Sequence, residues 1–436
     1  MEKSRTRAIV NLSKMNTLDF STDDVPVFVP DVDNWVQPNC NFVNIVDLPS
    51  YVTCISFGVL LINIRSCRKN FSQFISHFCN ILSYFTCIIL TEIWLTEDVD
   101  NVFNIPGYYC FNLYRNNVGG GIKMYLRNGI QGRMLENFTF INEYFEMLTV
   151  ELIFGSNKAV MSGLYHPPTS SIEHNNAFIE SLAGYLNLLS NLRVPLILAG
   201  DLNINLLNPG NLVYINTFTN MMFEHGLSPI ITVPTKVNTE NHITRFALID
   251  HIWLSDGIMN LLSCIFPVDI TDHFPVCSFL KLPFDSSFNN KAHYYRSLCQ
   301  RGKLTFGLLL SNINVEIIQG NLNFTYDNYI GRVLESYNTA FPIKQSTNKT
   351  KNPAPWMTPR LRQCISKRSK LYKLYLKGRI EKVEYVSFRN RVTAVIRKVK
   401  RLYYSKLLFY AANDIKKTWS CLNHIMDRNS YPALKS

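Results

Sequence analysis

The chain contains no CxxC pair. Its 11 cysteines are an odd number and share no repeated spacing. That pattern argues against a disulfide framework and against a zinc site with the usual ligand spacing. Reduced, mostly buried thiols of an intracellular protein are the expectation. Long apolar runs are also missing. The longest, CISFGVLLINI and YFTCIIL, fall well short of the roughly 20 residues a spanning helix needs. They read as buried strands, and no membrane partner is expected. The opening MEKSRTRAIVNLSKMNTLDF has no long apolar core, so no secretory signal is expected. No internal repeat is visible, and no FADD or YADD sequence occurs. Acidic charge is scarce at one end. From Trp356 to Arg428 there are 19 Lys plus Arg against four Asp plus Glu, a local +15. The whole chain carries +12, so +12 less +15 leaves the remainder near −3. A basic segment beside a near-neutral body suggests a polyanionic partner.

What is present describes a folded protein. Hydrophobic residues make up 47% and charged residues 17%, a globular composition and not a disordered one. At 436 residues, two or three domains are expected. Residues 1–50, with STDDVPVFVPDVDNW, read as a poorly ordered lead or a small appended piece. From 51 to 282 short apolar runs alternate with polar breaks. CISFGVLLIN, CIILTEIWL, GGGIKMYLRN, LTVELIF, AVMSGLYHP, VPLILAGDLN, LIDHIWLS and VCSFLKL have strand character. AFIESLAGYLNLLSNL and NTFTNMMFEHGL have helical spacing, the second stopped by Gly226. This mixture predicts an α/β (α+β) fold: a four-layered sandwich of two packed, mostly antiparallel sheets with helices outside. Residues 283–350 read as an Asn-rich linker with some helix. Residues 351–430 predict a basic helical hairpin. Thr358 and Pro359 suit the N-cap and first turn. Leu361, Ile365, Tyr372 and Tyr375 form one apolar stripe; Phe388, Val392, Ile396, Val399 and Tyr403 form the other.

Six of the apolar runs end or break at a polar group. LLINIRS offers Asn63 and CIILTEIWL offers Glu92. SGLYHPP offers Tyr165 and His166, and LAGDLNIN offers Asp201 and Asn203. ALIDHIW offers Asp250 beside His251; DITDHFPV offers Asp272 and His273. Strand ends of layered sheets gather along one edge, where such groups can converge on a pocket. Each piece alone has an ordinary structural explanation: an Asx turn, a solvated strand end, a surface ion pair. Together they are the kit for phosphodiester hydrolysis. Hard oxygen ligands hold Mg²⁺, an Asp–His pair manages protons, and amide and phenol donors steady charge on phosphate oxygens.

In their order these motifs resemble the endonuclease/exonuclease/phosphatase superfamily, most of all the endonuclease domain of LINE-type non-LTR retrotransposons. NIRS, LTEIWL, GGGIKMYL, LYHPP, LAGDLNIN, PTKV, LIDHIWLSD and TDHFPV carry the likeness, over about residues 54–282. The basic tail is similar in style to the segment that follows this domain in such elements. A truncated element without its reverse transcriptase, or a host gene derived from one, is the expectation. The resemblance implies roles. Glu92 would be the principal metal ligand, with Asn63 beside it. Asp201 would orient or deprotonate the attacking water, and Asn203 would hold that water or a phosphate oxygen. Tyr165 would sit at the scissile phosphate. Asp250 would support the catalytic imidazole of His273, and Asp272 would be a supporting or metal-linked carboxylate. His251 reads as structural. Arg65 stands where apurinic endonucleases carry an acid, and Pro168 where they carry Asn; both argue against abasic-site repair. Ala247 replaces a Ser that many relatives have near the DNA-contacting surface.

The activity so implied is a Mg²⁺-dependent (or Mn²⁺-dependent) DNA endonuclease that nicks one strand, with no small-molecule cofactor. Its partner would be target duplex DNA, with RNA as a further partner of the tail. Arg65, Lys367, Arg368, Lys370, Arg397, Lys398, Lys400 and Arg401 are the expected nucleic-acid contacts. The tail tyrosines read as the hairpin's own core. The alternatives are a catalytically silent nucleic-acid-binding relic, and a phosphatase or abasic-site endonuclease of the same superfamily. A nuclear location would suit basic runs such as RKVKR, which are common.

Overall fold

A computed structural model of the protein describes residues 26–29, 38–52, 57–97, 102–115, 119–169, 171–208, 212–240, 243–284, 293–296, 300–313, 322–346 and 354–411, with a few residues beyond. The first sheet contains β1 (Cys40–Phe42), β2 (Phe57–Asn63), β3 (Cys87–Thr91), β4 (Tyr108–Leu113) and β5 (Ile122–Arg127). From later in the chain come β15 (Met259–Ile265) and β16 (Val276–Lys281). Their order is β1-β15-β16-β2-β3-β5-β4. The second sheet contains β6 (Gln131–Met134), β7 (Phe140–Ile141), β8 (Glu146–Phe154), β9 (Asn157–Tyr165), β10 (Leu196–Asp201), β11 (Leu227–Pro229) and β14 (Asp250–Ser255). Its order is β11-β14-β10-β9-β8-β6, with β7 paired to β8. The pairs β1/β15, β2/β3 and β9/β10 are parallel and the others antiparallel. A hairpin, β12 (Lys236–Glu240) and β13 (Ile243–Ala247), stands apart from both sheets.

The two sheets pack face to face. Gly163 of β9 shows how closely: a Cβ there would lie 3.1 Å from Ile122 and 3.4 Å from Ile89 of the first sheet. Both faces of β2 are covered, so its run is apolar at every position but the last. Four helices flank the core: α1 (Leu48–Tyr51), α2 (Cys67–Phe78), α3 (Ile172–Ser190) and α4 (Leu212–Glu224). On the second sheet's outer side, Tyr185 of α3 bonds Thr149 and Ser162, each at 2.8 Å, and Phe218 of α4 packs edge-on against Trp253. Outside the first sheet, α2 lays Phe74 and Phe78 into a cluster with Leu60, Ile62, Phe266 and Phe279. Helix, sheet, sheet and helix make the four expected layers.

The strand period of two then decides what reaches the interface between the sheets. Leu60 and Ile62 belong to the outer cluster under α2, so Val59, Leu61 and Asn63 face inward. Gly163 faces inward, so Tyr165 does too.

The segments around this core depart from expectation. Of residues 1–50, residues 1–25 and 30–37 lie outside the described residues. Residues 40–51 are not a lead but part of the sandwich. β1 covers the edge of β15, and Val43, Leu48 and Tyr51 are buried. An edge strand without that cover would leave its ladder groups unpaired. The basic tail is not a separate domain either. Its helices α7 (Pro359–Leu376) and α8 (Lys382–Ala411) belong to the same compact unit as the sandwich. Trp356, Met357, Leu361, Ile365, Val392 and Ile396 join the α2 cluster. Thr358 caps α7 as expected, its hydroxyl accepting from the Leu361 N–H at 3.2 Å. Residues 288–350, expected as a linker, form a compact unit of their own. There α5 (Gln300–Ser311) packs on α6 (Leu322–Ala340) through Phe306, Tyr337 and Phe341, and β17 (His293–Arg296) pairs with β18 (Ile343–Ser346).

Candidate functional site

One edge of the sandwich collects the polar groups. Asn63 ends β2, Tyr165 ends β9 and Asp201 ends β10, while Asp250 opens β14 opposite Asp201. Parallel β9 and β10 end together, with Tyr165 beside Asp201; antiparallel β14 brings its first residue to the same place. Gly200 permits the approach. A Cβ there would lie 1.9 Å from the Leu164 carbonyl oxygen, so no other residue fits before Asp201.

Asn63 joins the sheets. Its amide nitrogen donates to Glu92 Oε1 and to Asp201 Oδ2, each at 2.7 Å. Its amide oxygen accepts from the Arg65 N–H at 3.1 Å. Glu92 follows β3 with φ of 53°, in the left-handed region, and Trp94 Nε1 donates to its Oε2 at 3.2 Å. Asn203, with φ of 49°, is a second such position. Asp201 is fully buried. Burial, then the neighbouring Asp250, pushes its pKa up to about 7, against the opposing pull of His273 and Asn63.

His273 is buried and bonds Asp250 through Nδ1, at 3.0 and 3.1 Å to the two carboxylate oxygens. Its Nδ1 is 3.9 Å from Asp201 Oδ2. Burial disfavours the imidazolium, but Asp250 and then Asp201 outweigh burial and raise the pKa to about 9. Asp250 is held in turn by the Thr235 hydroxyl, which donates at 2.7 Å. Nε2 lies 3.3 Å from Lys236 Nζ. Asp201, Asp250 and His273 offer ligand atoms within 4.8 Å of one another, a buried group that could hold a metal ion. Nδ1 is already engaged by Asp250, however, so the arrangement reads better as a carboxylate–imidazole pair.

Of the expected site residues, Asn63, Glu92, Tyr165, Asp201, Asp250 and His273 come together. Burial first, then Glu92 and Asp201, hold the Tyr165 phenol protonated far above its ordinary range. Asn203 lies alongside but is occupied differently from expectation. Its amide donates to the His166 carbonyl at 2.7 Å and its N–H to Asp201 Oδ1 at 3.1 Å, so it positions Asp201. Asp272 is linked to the cluster through Lys236, which also reaches His273 Nε2. It pairs with Arg65 at 2.8 Å and Lys236 at 2.9 Å, cations that with His273 hold its pKa below the usual range despite burial. His166 and His251 are structural: burial drops each to about 4, and their ring nitrogens meet the carbonyls of Leu202 and Ile204.

The tail cations divide. Arg368 is fully buried and meets His77 and Gln73 of α2; it packs the hairpin onto the sandwich and is not a surface contact. Lys400 is half-buried and donates to Ser72 at 3.0 Å. Lys367, Lys370, Arg397, Lys398 and Arg401 are exposed. The tyrosines serve packing, as expected, though not only within the hairpin: Tyr372 meets both Tyr385 and Phe274 of the sandwich.

Sequence reasoning missed Glu146, Thr235 and Lys236. Glu146 is buried opposite Tyr165 and accepts from the Gly121 N–H at 2.6 Å. Burial pushes its pKa to about 6. It opens an apolar run instead of ending one, and only the antiparallel pairing of β8 with β9 brings it to this edge. The PTKV motif contained Thr235 and Lys236 without indicating a role.

Among solved structures the chain is similar to the endonuclease domain of TRAS1, a telomere-specific non-LTR retrotransposon, at 14% identity. That match covers 52% of this chain and 100% of that one, with a TM-score of 0.41. It is also similar to the Xenopus laevis APE2 catalytic domain, at 13% identity over 53% of this chain and 94% of that one, TM-score 0.41. A third is the human nocturnin catalytic domain with bound sulfate, at 13% identity over 52% and 93%, TM-score 0.39. No family profile and no curated protein matches the chain.

Proposed function

We propose that this chain is a phosphodiester hydrolase of DNA, a divalent-metal-dependent endonuclease that nicks one strand. One observation carries the reading: the Asn63 amide holds Glu92 and Asp201 together across the two sheets, with the His273–Asp250 pair 3.9 Å from Asp201. The donors gathered around that amide are carboxylate and carboxamide groups, a hard set that fits Mg²⁺ or Mn²⁺. Glu92, with Asn63 beside it, would hold the ion. When bound, it supplies neutralisation of charge on the phosphate oxygens.

The remaining work falls to the side chains. Asp201, a buried carboxylate of raised pKa, accepts a proton from the attacking water and orients it. Asn203 fixes Asp201 through its N–H. His273, kept cationic by Asp250, gives a hydrogen bond or proton to a phosphate oxygen. Tyr165 stays protonated and donates its O–H. The products expected by analogy with the resembled family are 3′-hydroxyl and 5′-phosphate ends.

The test is supercoiled plasmid incubated with the purified chain and Mg²⁺, beside Glu92→Ala and His273→Ala. The parent should convert it to open circles, and each variant should lose about 10²–10⁴-fold in rate while keeping the parent's melting temperature within a few degrees. A parent that retards plasmid on a gel but never nicks it would leave a nucleic-acid-binding relic. Release of inorganic phosphate from inositol phosphates, with DNA untouched, would point to a phosphatase instead.

A further inference from the structure

The hairpin does more than cover α2. Where α7 ends and α8 begins, the two helices and the first turns of α2 enclose a cleft of about 480 Å³. Its third wall is the 269–272 segment that leads into His273. Arg65, Lys69, Lys382, Arg389 and Arg397 line it, with Asp269 and Asp272 as its acids. Asp272 is held by Arg65 and Lys236, and Asp269 accepts from Tyr385 and lies 3.9 Å from Arg389. Both acids are therefore matched. Among the described residues no carboxylate pairs with Lys69, Lys382 or Arg397, all exposed. The cleft thus has cationic surplus drawn from two separate helices, α2 and α8. It also shares a wall with the candidate active site: Arg65 bonds Asp272, Asp272 bonds Lys236, and Lys236 reaches His273 Nε2.

We infer that this cleft binds the phosphate backbone of the DNA strand flanking the scissile bond, making the helical hairpin part of the substrate-binding surface. The inference rests on the endonuclease reading for its choice of ligand. Unmatched cations in a concave site neutralise successive phosphates, and a duplex too wide to enter can still present one backbone to the rim. The wall shared with His273 sets the direction: a strand whose scissile phosphate lies at His273 passes Arg65 first and the surplus cations next. The placement separates this surface from the rest of the basic tail. Arg360 and Arg362 lie twelve and ten residues before Tyr372 on α7, about 18 and 15 Å away along the axis, and Lys406 lies nine beyond Arg397 on α8, about 14 Å.

The experiment measures binding separately from cleavage. The uncleaving His273→Ala chain is titrated into a fluorescent duplex oligonucleotide without added metal, and anisotropy is read at several salt concentrations. Lys69→Glu, Lys382→Glu and Arg397→Glu, combined, should weaken binding at least 10-fold. The slope of log affinity against log salt should fall by about 2–3, as loss of three phosphate contacts requires. Arg360→Glu, Arg362→Glu and Lys406→Glu, combined, make the same change of charge away from the cleft and should do far less. Equal weakening by both triples would overturn the inference in favour of general attraction, and no weakening by the cleft triple would overturn it outright. Tight capture of anionic vesicles or acidic peptide, with duplex ignored, would also overturn it. Circular dichroism melts of both triples confirm folding. A parent chain that binds DNA through the cleft yet never nicks plasmid would defeat the endonuclease reading and leave the cleft a site for DNA backbone without a scissile bond beside it.

Discussion

Asn63 donates one amide nitrogen to two carboxylates from two sheets, so it sets the spacing of the site. Asn63→Ala removes both bonds and leaves Glu92 and Asp201 to repel each other. Single-turnover nicking should fall about 10²-fold, the usual cost of losing one well-aimed donor; an unchanged rate would mean that the carboxylates hold their places without it. Gly120 acts on Glu146 in another way. Its φ is +68°, and a Cβ would lie 2.2 Å from Glu146 Oε1. Gly129 has φ of +97° and nothing within 4 Å of such a Cβ. Both Ala variants suffer backbone strain of about 1 kcal/mol or more. Gly120→Ala should melt lower than Gly129→Ala, because only it must displace a buried carboxylate. Equal melting temperatures would show that Glu146 moves aside freely.

At the scale of elements, α7 and α8 are anchored by their apolar stripes and by one buried cation. Ile365 and Val392 sit in the cluster that α2 shares with the first sheet. Ile365→Ala should cost about 2–5 kcal/mol and lower the melting temperature of the sandwich and hairpin together, in one transition. A separate early transition, with the sandwich unaffected, would mean that the hairpin folds alone. Arg368 is the more telling residue. Sequence placed it among the nucleic-acid contacts as one of the cations of the basic tail. Helical rotation places it on the face turned to α2, where burial lowers its pKa. Arg368→Glu should therefore destabilise the fold, whereas Lys370→Glu, on the exposed face, should leave the stability within about 0.5 kcal/mol of the parent's in urea unfolding.

At the scale of the whole molecule, buried histidines contribute to the response to acid. His166 and His251 titrate near 4 in the fold against an ordinary 6.5. Both are neutral in the folded state, so the unfolded chain binds more protons below pH 6.5. Their contribution is fully present above 6.5 and is lost as pH falls toward 4. Each adds up to about 1.4 kcal/mol per pH unit over that window. His166→Phe keeps a ring stacked on Phe178, 4.0 Å away in the parent, and removes the titration. Its stability should fall less steeply between pH 6.5 and 4 in urea titrations; a slope equal to the parent's would assign the acid response elsewhere.

The four layers and most of the candidate site were legible in sequence because periodicity and strand ends are local signals. VPLIL had to be a buried strand, and the GD that follows had to leave it at an edge. LAGDLNIN ends in polar groups because Asp201 is the last inward-facing residue of β10, and Gly200 lets it approach β9. Other features depend on contacts between distant segments, which no local pattern encodes. Glu146 joins the site only because β8 runs against β9. Asp272 is tied to it only because Lys236, on a separate hairpin, pairs with it and reaches His273. Residues 40–51 complete an edge strand more than 200 residues away, and the basic tail folds back onto α2 to form a cleft beside His273. Side-chain pattern specifies which face of an element is apolar. Which partner covers that face, and which polar groups meet there, is decided when the elements pack.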